Sequence, residues 1–157
     1  MKFQFWSVGK NNDQYVDDGI ADFTRRISNY FPISWKIIPV PKNAGLLSEA
    51  ELKKKEGESI LKMLDEKDYL IILDEKGKSF TSLHLATFLQ QRANESSRQL
   101  IFLIGGAYGI DGAVMKRANY SWSLSALTFP HQLVRLILAE QVYRACTILK
   151  NEKYHHS

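Results

Sequence analysis

Residue types that could do chemistry cluster in three short stretches of this chain. Gly105-Gly106-Ala107-Tyr108-Gly109 follows directly on the apolar run of residues 99–104. Adjacent glycines at a strand end permit positive φ and let backbone come close to a ligand. The spacing is not the G-x-G-x-x-G of a dinucleotide fingerprint. Glu75-Lys76-Gly77-Lys78-Ser79 contains Gly-Lys-Ser, but a phosphate loop needs a glycine five residues before Gly77, and Ile72 stands there. The third stretch is Leu124-Ser125-Ala126-Leu127-Thr128-Phe129-Pro130, again with small side chains that leave contact to backbone groups. Together they suit a small polar molecule, with no metal-ligand set in view. His131 alone reads as a local hydrogen bonder. Cys146, the lone cysteine, lies in an apolar helical run and reads as a small buried hydrophobe.

The elements that must position these stretches follow from periodicity. Residues 2–8 read as a strand. Val16, Ile20, Phe23, Ile27 and Tyr30 recur at steps of three and four, an amphipathic helix closing before Pro32. Residues 33–40 form a β-branched and aromatic strand, residues 42–47 a loop, and Ser48 with Glu51 a capping box for the next helix. Its Lys53-Lys54-Lys55 run is a solvated face or an RNA contact. Residues 68–74 and 99–104 are continuous apolar runs, as in strands covered on both faces. Residues 75–79 are an exit loop, Thr81 or Ser82 caps a helix carrying Leu85, Phe88 and Leu89, and Asp111 caps a brief helix through Val114 and Ala118.

Residues 120–126 alternate as a strand with a serine face at Ser121, Ser123 and Ser125, small enough for another backbone or a ligand to approach. Pro130 fits the first turn of a final helix over 132–150, so 127–131 is a tight strand-to-helix turn. Five strands alternating with helices predict an α/β sheet with helices on both faces. Ligands in such sheets sit beyond the carboxyl ends of strands, and all three stretches lie at such ends.

With 45% apolar and 24% charged residues the chain suits one domain, 1–157, and neither disorder nor a collagen-like repeat. The N-terminus lacks the apolar stretch of a signal peptide and no segment approaches a membrane span, which points to the cytoplasm. The Asn-x-Ser sequons at Asn94 and Asn119 then carry no weight. Residues 1–115 hold 15 Lys/Arg against 15 Asp/Glu, and residues 116–157 hold six against two, so the excess of +4 sits in the last quarter. A segregated basic surface suits a polyanion such as nucleic acid. A charge of this size by itself also suits plain solubility.

LDEKGK, FLIGGAYG, SWSLSALTFPHQLVRLILAEQVYRA and the terminal Tyr154-His155 closely resemble the ribosomal RNA large-subunit methyltransferase H family, of the SPOUT class of knotted methyltransferases. The resemblance runs nearly end to end. It implies a mostly parallel five-stranded sheet flanked by helices, with a C-terminal trefoil knot. It further implies S-adenosyl-L-methionine as cofactor, methylation of N3 of a pseudouridine in 23S rRNA on the assembled ribosome, and a homodimer whose active sites are each completed by the partner chain. No metal and no membrane are implied. Carried over by position, the cofactor loops are Leu73, Gly105, Leu124, Ser125, Ala126, Leu127, Thr128 and Phe129. The dimer would explain a final helix apolar on most sides (Leu133, Val134, Leu136, Ile137, Leu138, Val142, Tyr143, Cys146, Leu149).

The same resemblance makes Tyr154 and His155 an RNA-contacting catalytic lid and Arg144 a catalytic cation for a phosphate or the uracil carbonyl. Their plain alternatives are a frayed terminus for Tyr154 and His155 and an i, i+4 pair with Glu140 for Arg144. Methyl transfer needs the ring nitrogen in line at about 3 to 3.5 Å. The N3 proton must also leave, by a base near neutrality or with cationic donors stabilising the anion. The rival from another class is a non-enzymatic ribosome- or RNA-binding module; a small-nucleotide phosphate binder is disfavoured by the missing phosphate-loop and dinucleotide spacings.

Overall fold

In the computed structural model, which describes residues 1–9, 12–95 and 99–156, five strands form one sheet in the order β2-β1-β4-β3-β5. Ser96 of the Asn94 sequon and Ser157 lie outside the described residues. The elements are β1 (Lys2–Val8), α1 (Gln14–Ile27), β2 (Ile33–Ile38), a 3-10 turn (Ala44–Leu46), α2 (Glu49–Met63), β3 (Tyr69–Ser79), α3 (Ser82–Ala93), β4 (Gln99–Ile104), α4 (Gly112–Arg117), β5 (Tyr120–Ser123) and α5 (His131–Leu149). All strand pairings are parallel, where the sequence predicts a mostly parallel sheet. Parallel neighbours require crossovers, and the helices that make them cover both faces.

Strand alternation sorts the core into two layers. Phe3, Phe5, Ile71, Leu100, Phe102 and Trp122 pack with Ile27 of α1, Leu85 and Leu89 of α3 and Leu138, Val142 and Cys146 of α5. Trp6, Val8, Leu70, Ile72, Ile101 and Leu103 face the other way, with Ile60 of α2 and Val114 of α4. The central runs of β3 and β4 are buried on both sides for this reason. Cys146 is buried at the α5 layer, and burial pushes its thiol up to about 12. We expect no reaction with a disulfide reagent at about pH 8 in the native protein and one equivalent after unfolding; rapid native labelling would contradict this packing.

Several expected boundaries move. α1 ends at Ile27, with Tyr30 in the following turn, because the chain already reverses through Tyr30 N–H to Ile27 O at 2.8 Å. β2 stops at Ile38 rather than 40, where Pro39 and Pro41 cannot donate to a ladder. The 42–47 loop holds the 3-10 turn. Ser48 caps α2 by accepting from Glu51 N–H at 3.2 Å, so half of the expected capping box is made. Thr81, not Ser82, caps α3, and Asp111 caps α4.

The largest difference is at residues 75–79, which continue β3 instead of forming an exit loop. After a register shift between Leu73 and Lys78 the strand pairs again with β5 at Trp122 and Ser123. Gly77 makes this possible: a Cβ there would stand 2.7 Å from the Ser121 backbone and 2.8 Å from its Oγ. The small face at Ser121 therefore receives the Gly77 backbone, and the Gly-Lys-Ser spelling is a close strand approach, not a phosphate seat. β5 ends at Ser123 rather than 126, freeing 124–130 as a loop.

Candidate active site

Beyond the carboxyl ends of β4 and β5, and beside the register shift that follows Leu73 in β3, lies a cleft of about 590 Å³. Leu73, Gly105, Leu124, Ser125, Leu127, Thr128 and Phe129 all line it. Ala126 lies in the same loop but not on the cleft wall. Parallel strands end together, so residues far apart in sequence meet here.

Local hydrogen bonds shape each wall. Ser123 Oγ donates to Ser125 O at 3.0 Å and Ser125 Oγ accepts from Leu127 N–H at 3.0 Å, so the serines hold the loop by bonding its own backbone. Opposite, Gly109 at φ +90° closes a turn in which its N–H donates to Gly106 O at 3.1 Å. A Cβ at Gly105 would meet Ile110 Cγ1 at 2.7 Å, which is why the turn tolerates no side chain there. Pro130 is the N-cap of α5, one position earlier than expected, and His131 and Val134 of its first turn complete the cleft. Burial, with the Arg135 cation beside it, lowers the His131 pKa below the ordinary range, so its ring is neutral at physiological pH. Among the described residues no cluster of His, Cys, Asp or Glu could hold a metal.

Arg135 anchors the start of α5 to the end of β1. The residue is 5% exposed, and its guanidinium donates to Ser7 Oγ and Asn12 Oδ1, each at 2.6 Å, and to Val8 O at 3.3 Å. The sequence reading credits Arg135 only to the basic surplus, yet the guanidinium's hydrogen-bond partners satisfy a cation that burial would otherwise penalise.

The remaining candidates form a second group further along α5. Arg144 Nε donates to Glu140 Oε1 at 2.9 Å, and its Nη1 lies 3.3 Å from His155 Nδ1. The Tyr154 hydroxyl donates to the same Glu140 oxygen at 3.0 Å, the Arg144 guanidinium stacks 4.7 Å from the Tyr154 ring centroid, and Tyr143 meets that ring edge-on. Burial, then the bond to Glu140, raises the Tyr154 pKa, so the phenol stays protonated. Glu140 is thus the hub, and Arg144 makes both the helix pair and the contact to the tail. The i, i+4 spacing shows the pair in the sequence; nothing there shows Tyr154 joining it.

The tail is tied down rather than frayed. Asn151 takes a left-handed φ of +54°, with its N–H on Ile148 O and the Glu152 N–H on Thr147 O at 3.0 Å, the double bond pattern that reverses a chain at a helix end. Tyr30 then donates to Glu152 at 2.6 Å, fixing the turned chain to the turn that follows α1. None of Arg144, Tyr154 and His155 lines the cleft. At 1.5 Å per helical residue, Arg144 stands roughly 20 Å along α5 from His131.

A family model described as "Predicted SPOUT methyltransferase" matches residues 1–155. The chain belongs to the SPOUT methyltransferase family. A protein of Cytophaga hutchinsonii named "Ribosomal RNA large subunit methyltransferase H" is 51% identical over 99% of this chain and 100% of its own length. One of the same name from Parabacteroides distasonis is 47% identical over 99% of each. The fold matches a crystal structure described as a probable methyltransferase from Bordetella pertussis Tohama I, with a TM-score of 0.57, 10% identity and coverage of 92% and 94% of the two chains. As a SPOUT methyltransferase the protein uses a methyl donor. Among the described residues no helix is long and apolar enough to cross a membrane.

Proposed function

We propose that this protein methylates N3 of a pseudouridine in 23S rRNA of the assembled large subunit, with S-adenosyl-L-methionine as donor, in the cytoplasm. The observation that carries the reading is the full-length similarity, at about half identity, to proteins named for large-subunit rRNA methylation. The cleft supports the donor. Its volume suits a nucleoside-sized ligand, and its walls present the Gly105 backbone, the Ser125 and Thr128 side chains and the apolar side chains of Leu73, Leu124, Leu127 and Phe129, Ala126 shaping the loop from outside the lining. When bound, the donor supplies an electrophilic sulfonium methyl.

The homodimer belongs to the same reading. In one chain the cleft and the Arg144–Tyr154–His155 group are separated along α5, so a second copy would bring its tail to the first copy's cleft. Leu133 and Ile137, only half-buried on α5, would lie in that interface. The trefoil knot is part of the same reading: α5 starts at the cleft loop and packs with α1 and α3 on one face of the sheet, an arrangement compatible with a threaded C-terminus.

The tail group offers donors. Arg144 is cationic, Tyr154 keeps its proton, and with Arg144 N–H directed at His155 Nδ1, the free edge of the imidazole is Nε2–H. Three donors suit stabilisation of a uracil anion through its carbonyl oxygens better than proton abstraction. The N3–H bond breaks with the proton going to water, the N3–C bond forms and the C–S bond breaks, leaving S-adenosylhomocysteine. Purified protein incubated with unmethylated ribosomes and methyl-labelled donor should label 23S rRNA at one pseudouridine. No label on ribosomal RNA, together with ribosome binding that ignores the donor, would favour the non-enzymatic binding module instead.

A further inference from the structure

Behind the glycine turn of the cleft sits a carboxyl that the mechanism above does not use. Glu56 of α2 is 6% exposed, and no hydrogen bond or ion pair reaches it among the described residues. Its two oxygens occupy the space beside Gly106: a Cβ at that glycine would stand 2.6 Å from Oε1 and 2.7 Å from Oε2. Gly106 itself lines the cleft, so one thickness of backbone separates this carboxyl from a bound ligand. The neighbouring Gly57 admits the Asp111 side chain just as closely, at 2.8 Å to a Cβ, which locks α2 against the turn and the cap of α4. Charged groups near this corner include Lys53, one turn earlier on α2 and on the cleft wall, and Asp111, and Asp74, Glu75 and Lys76 also line the cleft.

A carboxylate drawn mostly out of water gains more from a nearby positive charge than one at the surface does. Burial holds the Glu56 carboxyl above the usual glutamate range, so a positive charge brought close to it would favour its ionised form. We propose that Glu56 is a specificity-determining residue of the cofactor cleft, whose carboxylate, seated in the gap at Gly106, favours a ligand carrying positive charge at sulfur over the neutral thioether left after transfer. The inference rests on the cleft being the donor site. It gives the turn a second use beyond close approach: only glycine at 106 lets the charge come near the ligand. A unit charge across one layer of backbone, at the effective dielectric of a protein, is worth about tenfold in affinity.

The test is calorimetric titration of the whole protein with S-adenosylmethionine and with S-adenosylhomocysteine. Glu56→Gln keeps the shape and removes the charge, and is expected to weaken S-adenosylmethionine about tenfold while changing S-adenosylhomocysteine less than about threefold. Glu56→Asp should recover most of the discrimination. Equal weakening of both ligands by Glu56→Gln, with an unchanged melting temperature, would reduce Glu56 to packing and overturn the proposal, as would wild-type affinities in the variant. If the wild-type protein binds neither ligand, the donor site itself is wrong, a result distinct from a failure of Glu56.

Discussion

Deleting residues 154–157 is expected to lower methyl transfer to ribosomes by at least about a hundredfold while leaving cofactor affinity within about twofold. The deletion removes two of the three donors, the Tyr154 hydroxyl and the His155 ring, and strips the stacking partner from Arg144. It leaves the cleft untouched, since none of these residues lines it. A narrower variant isolates the hub. Glu140→Gln keeps α5 intact but removes the charge that holds Arg144 and Tyr154 together, and should cost about tenfold in turnover with little change in melting temperature. Single-turnover rates with labelled donor, alongside calorimetry, check both. Unchanged turnover in the deletion would remove the tail from the active site altogether.

Mixing two inactive variants should restore activity. One carries Arg144→Ala, which disables the tail group; the other carries Gly105→Val, which drives a side chain into Ile110 and blocks the cleft. Alone, each homodimer has two broken sites. After subunit exchange, half the dimers are mixed, and each of these assembles one site from a sound cleft and a sound tail, so activity should return to about a quarter of wild type. Sites contained within one chain would give no recovery. The physical ground is distance: α5 holds its two functional ends roughly 20 Å apart, far beyond the reach of an in-line transfer. A monomeric mass at micromolar concentration would independently refute the shared site.

Much of the fold was legible because period and composition act locally. The apolar runs of β3 and β4 announced strands buried on both faces, Ser48, Thr81 and Asp111 announced helix starts, and two of the three chemistry-bearing stretches, 105–109 and 124–130, were rightly placed at carboxyl ends of strands. The strands that moved did so through partners no local pattern shows. Residues 75–79 carry turn-like residues, yet Gly77 lets the chain lie on Ser121 and the strand resumes. Residues 124–126 continue an alternating pattern, yet have no neighbour to pair with once Ser123 turns its hydroxyl to Ser125 O.

The same division holds for function. By itself the sequence determined the family and the sheet class, and it pointed to the stretches proposed here as the donor seat and to Arg144, Tyr154 and His155, because long motifs and strand-end glycines are written in consecutive residues. Only the tertiary structure decided that Glu140 gathers the tail, that Asn151 turns it back, that Arg135 is a buried anchor and that Glu56 stands behind Gly106. Each of these depends on a contact set by packing in space, or on a backbone dihedral that a chain adopts only once its neighbours are in place.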